Sequence, residues 1–289
     1  MSAGYDTSCT TLSQDGRIYQ LEYANKAIEN SSTVLGIILK DGVVLIAEKI
    51  KESRAIVSGS NPAVYSIAPH IGIAICSLLP DGRNIVSRAK LEAKSYLSNY
   101  GIPISGQILC ERLSIYVHAH TLHWGARPFG CCVFISSYDT DKKYHLYMLE
   151  NTGNFYEYYA CSNGKGRQIV KSTVEKYNFA IRDNTIRDGL KKVLKIIIKS
   201  YEGEKETEYD VGIISNDSKN KHTVIENNFV LNEVEKLKNE IKLLKFSILP
   251  FLNSSKRPWH LWLLNAMKCK IRYLWGIIWK RNKLFLPKC

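Results

Sequence analysis

The sequence predicts an α+β fold, a four-layer αββα sandwich in which two stacked antiparallel sheets lie between helical layers. Three observations predict it. Along the chain, the apolar runs follow the order strands, two helices, strands, two helices. The first two strands, at 34–39 and 43–47, are joined through Asp41-Gly42, a strong hairpin signal. Both strands are apolar at nearly every position, which is typical of strands covered on both faces.

The chain starts with a polar arm, 1–17, which is predicted to be loosely held. A short helix is expected next, in RIYQLEYANKAIEN, because Leu21, Ala24 and Ile28 fall on one helical face. Asp15 and Gly16 supply turn and helix-start chemistry just before it.

The remaining elements are predicted from apolar periodicity and from the glycine and aspartate residues that mark their ends. Strands are expected at 64–68, 71–78, 130–137, 144–150, 155–160, 210–215 and 222–225. Helices are expected from Asp81 to a glycine stop at Gly101, and at 107–123, 166–178, 186–201 and 232–245.

The basic charge is concentrated in a tail. The net charge is +13, but nine of the 40 basic residues lie in 246–289, which has no Asp or Glu and holds four of the five tryptophans. The rest of the chain has 31 basic and 27 acidic residues. The longest uncharged run in the tail is shorter than the roughly 18 apolar residues of a membrane span. An interfacial membrane anchor and an incorrect gene model are both consistent with this tail.

No cofactor or metal site is expected. The eight cysteines have no CxxC spacing, and the N-terminus lacks a signal-peptide pattern, which favours reduced thiols in the cytosol or nucleus. His118, His120 and His123 are close in sequence, but only two share a helical face and no acid completes a ligand set. The segment NGKGRQ lacks the P-loop pattern and is interpreted as a glycine-rich lead into a helix.

The mouth of the first hairpin carries two hydroxyls, Ser32 and Thr33. In one class of hydrolases, a threonine at this place is the nucleophile, and its own free α-amine is the base. About thirty residues precede Ser32 here, and Ser31 stands where autocleavage usually needs glycine. The scaffold for this chemistry is present, whereas the free amine is not.

Several motifs resemble the α-type subunits of the 20S proteasome core. They are GYD at Gly4–Asp6, SQDGRIYQLEYANKAIENSST, KDGVVLIAEK, and YVHAHTLHWGARPFGCCVFISSYD. The resemblance covers about residues 4–245 and, among the seven eukaryotic types, is greatest to alpha type-3. It implies the N-terminal nucleophile hydrolase fold without catalysis. In this alignment Ser32 takes the place of the nucleophile, Glu48 that of the orienting aspartate, and a residue near Val64 that of the lysine.

The resemblance also implies a role and partners. The role is pore closure, ring assembly and activator docking in the particle that degrades ubiquitinated proteins. The partners are six other α subunits in a heptameric ring, the β rings and activator particles. No cofactor is implied. Membrane or nucleic-acid binding is implied only if the tail is present in the protein. The implied location is the cytoplasm and nucleus.

The implied functional residues fall into two groups. The gate residues are Tyr5, Asp6 and Tyr23, and the ring and turn motif comprises Asp15, Gly16, Arg17, Arg127, Pro128, Phe129 and Gly130. The sequence implies an N-terminal gating arm (1–17), an α-type domain (18–245) and the atypical tail (246–289).

Two departures from the family pattern are expected to matter. Gln14 replaces the turn proline, which frees φ at that position. Pro62 stands where a lysine often pairs with the carboxylate of an activator tail, so this pocket is expected not to bind tails in the usual way. Two alternative functions remain: an active N-terminal threonine hydrolase, and a membrane- or nucleic-acid-binding protein that uses the tail.

Overall fold

The structure is a computed structural model that describes residues 8–53, 55–176, 183–200, 206–226 and 229–238. The chain divides into two compact units, Met1–Leu237 and Lys238–Cys289. The basic tail lies outside the described residues, so the predicted boundaries of arm, body and tail stay predictions.

Two five-stranded antiparallel sheets form the body, which confirms the predicted fold class. The first sheet has the order β10-β9-β2-β1-β8, with β1 Val34–Leu39, β2 Gly42–Ile50, β8 Ala160–Asn163, β9 Thr207–Ser215 and β10 His222–Val224. The second has the order β3-β4-β5-β6-β7, with β3 Val64–Ala68, β4 Ile71–Ser77, β5 Cys131–Tyr138, β6 Tyr144–Leu149 and β7 Phe155–Glu157.

Helices cover the sheets. They are α1 Tyr19–Glu29, α2 Leu79–Tyr100, α3 Gly106–Leu122, α4 Arg167–Lys176, α5 Ile186–Ser200 and α6 229–238. One apolar core packs α2 and α3 on the second sheet, and another packs α4, α5 and α6 on the first. A third core, which includes Leu45 and Phe134, fills the space between the sheets. This is why β1 and β2 are apolar on both faces.

Two predicted elements are corrected. Helix α2 begins two residues before Asp81, with Pro80 in its first turn, where a missing N–H costs nothing. The strand predicted at 155–160 is two strands in different sheets. The N–H of Tyr158 donates to Leu146 of β6, and the carbonyl of Tyr159 accepts from Ile38 of β1, so the chain changes sheets between these residues.

The other elements agree with prediction to within a few residues where the structure describes them. The predicted stop of α2 is confirmed, since Gly101 has a left-handed φ of 71°. Within the described part of the chain, no helix combines the length and apolarity that crossing a membrane requires.

Candidate functional site

Thr33, at the mouth of the first hairpin, is a buried structural residue. Its side chain is 1% exposed, and its Oγ1 accepts a hydrogen bond of 3.1 Å from the N–H of Gly166. Its own N–H donates to Oε2 of Glu48 at 3.2 Å, and its carbonyl accepts from the N–H of Glu48. Thr33 therefore ties β1 to β2 and to the start of α4.

Ser32 lines an open cavity of about 600 Å³ together with Glu48. The amide nitrogen of Ser32 belongs to a peptide bond with Ser31, whose carbonyl accepts from the N–H of Lys165. At the expected lysine position, Val64 is an apolar side chain, 3% exposed. A serine hydroxyl without a free α-amine or that ammonium lacks the groups that activate an N-terminal nucleophile.

The segment NGKGRQ leads into α4 beside this mouth, as predicted. Gly164 has φ of 97°, and a Cβ atom there would lie 2.5 Å from the carbonyl oxygen of Ser32. A Cβ atom at Gly166 would lie 2.7 Å from Oγ1 of Thr33. The glycines allow close backbone approach to the hairpin.

The described part of the N-terminal arm is fixed at two points. At the first, Cys9 is 5% exposed, and its thiol contacts the carbonyls of His123 and Ala126 at 3.4 and 3.6 Å. The second is a turn in which the N–H of Gly16 donates to the carbonyl of Ser13.

That turn contains three of the predicted motif residues. Gly16 has φ of 71°, Asp15 is exposed, and the N–H of Arg17 donates to Oγ of Ser13 at 3.0 Å. Nη2 of Arg17 lies 2.7 Å from a carboxylate oxygen of Glu22 in α1. The turn closes with Gln14 in place of proline, because side-chain bonds and Gly16 supply the constraint.

Of the predicted gate residues, Tyr23 is described. It is half-buried on α1 and stacks on Tyr19, with ring centroids 6.4 Å apart. Tyr5 and Asp6 lie outside the described residues, so their predicted role is not tested.

The Arg-Pro-Phe-Gly turn precedes β5 and is held by Asp81 of α2. Nη1 and Nη2 of Arg127 each lie 2.7 Å from an oxygen of the Asp81 carboxylate, which also accepts the N–H of Gly130. Burial favours a higher pKa for Asp81, but the Arg127 and Gly130 bonds lower that pKa below its ordinary value. Pro128 and Phe129 are buried, and the Phe129 ring lies 4.4 Å from that of His120.

The histidines near this turn have structural partners. The ring of His120 hydrogen-bonds to the carbonyl of Tyr116, and that of His118 contacts Thr121. Among the described residues, no group of three or more His, Cys, Asp and Glu could hold a metal ion.

Sequence reasoning missed Cys9 and the partnership of Asp81 with Arg127. The sequence indicates Asp81 only as a helix start, and its separation of 46 residues from Arg127 leaves no local signal. An isolated cysteine in a polar arm gives no pattern either.

Comparison with known families agrees with this geometry. The profile described as "Proteasome subunit" matches residues 28–214, and the profile of the N-terminal signature of A-type proteasome subunits matches residues 5–27. The chain belongs to the proteasome subunit family. Its α-type signature and relatives place it among the non-catalytic α-type subunits of the proteasome.

Individual relatives agree with the predicted resemblance. The chain is 44% identical to the alpha type-3 proteasome subunit of Oryza sativa subsp. japonica, over 77% of this chain and 89% of the relative. It is 43% identical to the alpha type-3 subunit of Arabidopsis thaliana, with the same coverage. It is 38% identical to a probable alpha type-7 subunit of Saccharomyces cerevisiae, over 74% of each chain.

Proposed function

We propose that this core subunit serves as a structural and gating member of the α ring. In this role it occupies one position in a heptameric ring with six other α subunits, on a β ring that carries the catalytic threonines. Residues 1–7 contribute to closure of the pore through Tyr5 and Asp6. The particle acts on ubiquitinated proteins in the cytoplasm and nucleus.

The observation that carries the proposal is the double attachment of the arm. Cys9 is held by carbonyls at the end of α3, and the Ser13–Arg17 turn is held against α1. Residues 1–7 therefore start from a defined point of the body. A short segment with a fixed origin can exchange between ordered and disordered states at a small free-energy difference, which a gate requires.

Exposed apolar residues beside this attachment support assembly with other subunits. Leu122, at the end of α3, is 60% exposed. Trp124 is 89% exposed and lies in sequence between His123 and Ala126, whose carbonyls hold Cys9. Ile115 of α3 is also largely exposed. Large exposed apolar side chains on a folded body favour burial against another protein.

The gating proposal is tested by deleting residues 2–7 in the assembled particle. We expect hydrolysis of a small fluorogenic peptide to rise severalfold, because removal of the arm opens the pore without changing the catalytic subunits. A Thr7→Ser variant is the matched control, since it keeps the length of the arm, Tyr5 and Asp6, and its hydrolysis should stay at the wild-type level. An intact particle with unchanged hydrolysis after the deletion contradicts gating by this arm.

The ring proposal is tested by the native mass and subunit list of the tagged protein from its own cells. Recovery with six other α types and the β types supports it, and recovery as a monomer contradicts it. N-terminal sequencing of the same sample tests the alternative of an active threonine hydrolase, which requires a mature chain that starts at Ser32 or Thr33.

The tail alternative concerns residues outside the described part of the chain. If 246–289 binds membranes or nucleic acid, deletion of this segment should abolish salt-sensitive binding to anionic vesicles or RNA. Binding that survives the deletion contradicts this alternative. A subunit mass that lacks the tail indicates a gene-model error.

A further inference from the structure

Cys76 and Cys132 lie directly opposite each other on the neighbouring strands β4 and β5. Both are buried in the core between the two sheets. Sγ of Cys76 also lies 3.4 Å from Oγ of Ser31, and Nδ2 of Asn163 donates to Sγ of Cys132 over 3.4 Å. The scaffold and gating role uses neither thiol.

We propose that Cys76 and Cys132 form an oxidisable dithiol, which hydrogen peroxide converts into a disulfide within the subunit. In the first step a thiolate attacks one peroxide oxygen, so an S–O bond forms, the O–O bond breaks, and hydroxide leaves to be protonated. In the second step the other sulfur attacks this sulfenic acid, the S–S bond forms, and water leaves. The two thiols lose two electrons and peroxide gains them, with two waters as the other product.

The register of the strands allows this bond. The N–H of Leu78 donates to the carbonyl of Gly130 in the same ladder, two residues beyond the cysteine pair. Since hydrogen-bonded pairs recur every second residue, Cys76 and Cys132 occupy such a position, where Cα atoms are about 5.5 Å apart. Disulfides span Cα separations of about 4.4–6.8 Å.

The same position makes the disulfide easy to reverse. Cβ atoms of hydrogen-bonded pairs are about 5.5 Å apart, whereas a relaxed disulfide has about 3.8 Å. The two strands must therefore draw together when the bond forms. A strained disulfide is more readily reduced, so thiol reductants restore the pair.

The surroundings shift the pKa values of the two thiols in opposite directions. Hydrogen bonds from Cys132 and Ser31 lower the pKa of the Cys76 thiol, although burial opposes them. The hydrogen bond to Cys76 and burial raise the pKa of the Cys132 thiol. The thiolate is the reactive form, and the proposed disulfide is the same whichever of the two sulfurs attacks peroxide first.

A small polar cavity reaches Cys132, one of the two cysteines. It has a volume of about 150 Å³, is lined by Cys132, Asn163, Asn151 and Asn25, and reaches the surface at Asn25. Asn151 is 1% exposed, and among the described residues neither polar atom of its side chain has a hydrogen-bond partner. Hydrogen peroxide, like water, can both donate to and accept from these amides.

The neighbouring Cys131 provides an internal control for the reaction of Cys132 with peroxide. Its side chain lies on the other face of β5, in the core beneath α2 and α3. Burial raises the pKa of its thiol, and its ladder partner on β4 is Ser77 rather than a cysteine. Peroxide should therefore distinguish Cys132 from the residue next to it.

The test uses the full-length subunit, in the particle from which it is recovered. After peroxide treatment, free thiols are alkylated under denaturing conditions and the protein is digested with trypsin. Cys76 lies in the tryptic peptide 55–83, and Cys131 and Cys132 are the cysteines of peptide 113–142, because trypsin does not cleave before Pro128. We expect these peptides to be joined, with fragmentation that places the bond at Cys132 and alkylation at Cys131.

Two variants sharpen the result. Cys132→Ser should abolish the joined peptides, and Cys131→Ser should leave them at the wild-type level. The proposal is overturned if Cys76 and Cys132 are both alkylated at a peroxide dose that oxidises an added cysteine peptide. It is also overturned if the bond maps to Cys131, or if both sulfurs reach only sulfinic or sulfonic acid. Because the measurement reads the sulfurs directly, it is independent of whether the arm gates the pore.

Discussion

Asp81 and Arg127 form a two-point ion pair that joins the first turn of α2 to the loop before β5. The pair is uneven, since the side chain of Asp81 is 11% exposed and that of Arg127 is 66% exposed. Asp81 also accepts the N–H of Gly130. The carboxylate is thus the buried centre of the Arg-Pro-Phe-Gly turn, and the guanidinium covers it from the solvent side.

The two partners should therefore differ in their effect on stability. Asp81→Ala leaves the Gly130 N–H without its acceptor and removes the carboxylate that pairs with the guanidinium, so we expect a loss of about 1–3 kcal/mol in the free energy of unfolding. Arg127→Ala removes a largely exposed partner and should cost about 0–1 kcal/mol. Urea unfolding of both variants at neutral pH measures the difference. Equal losses contradict the assignment of Asp81 as the centre.

Thr33 offers a test of the hairpin mouth as a structural site. Thr33→Val keeps the shape but leaves the buried N–H of Gly166 without an acceptor, and we expect a loss of about 1–3 kcal/mol in unfolding free energy. Thr33→Ser is the control, because it keeps the hydroxyl. Both variants should leave peptide hydrolysis by the assembled particle unchanged. Lower hydrolysis in an intact particle with Thr33→Val contradicts the structural role.

His222 predicts a pH dependence of stability. Its imidazole is buried between β10 and the second sheet, where Nδ1 lies 2.6 Å from Oγ of Ser66, and a Cβ atom at Gly72 would lie 2.1 Å from the ring. Burial lowers the pKa of His222 to about 4. Between this value and the unfolded pKa of about 6.5, the unfolded chain binds the proton and the folded chain does not.

The stability from His222 should therefore be fully present above about pH 6.5 and fall as the pH drops towards 4. The slope is about 1.4 kcal/mol per pH unit, which gives a loss of about 3 kcal/mol over the window. His222→Gln should remove this component, so the difference in unfolding free energy between wild type and variant should itself vary with pH. A difference that is constant from pH 4.5 to 7.5 contradicts the buried neutral imidazole.

Pro62 predicts weak binding of an activator tail. The Pro62 ring is half-buried and carries no charge that could pair with a carboxylate. The nearby ammonium of Lys49 is already paired, since it lies 2.8 Å from Oδ1 of Asp210. We expect Pro62→Lys to increase crosslinking of an activator tail peptide to this subunit severalfold, through a new partner for the terminal carboxylate. Pro62→Met, of similar length without charge, is the control. Efficient crosslinking beside the native Pro62 contradicts this expectation.

Local sequence was sufficient for the features that depend on near neighbours. Asp41-Gly42 and two apolar runs predicted the first hairpin, because turn chemistry and burial act within a few residues. Gly101 marked the end of α2 for the same reason. The roughly thirty residues before Ser32 argued against a free α-amine in the chain as given, and the motifs through Gly130 indicated the family.

The tertiary structure decided the features that depend on distant partners. Whether 155–163 forms one strand or two depends on the edges of β6 and β1, where Tyr158 and Tyr159 find their hydrogen bonds. Three such features depend on contacts between residues 46 to 117 positions apart. They are the burial of Cys9, the ion pair of Asp81 with Arg127, and the cross-strand pairing of Cys76 with Cys132. Periodicity records which face of an element is buried, but it does not record which residue of another element lies opposite.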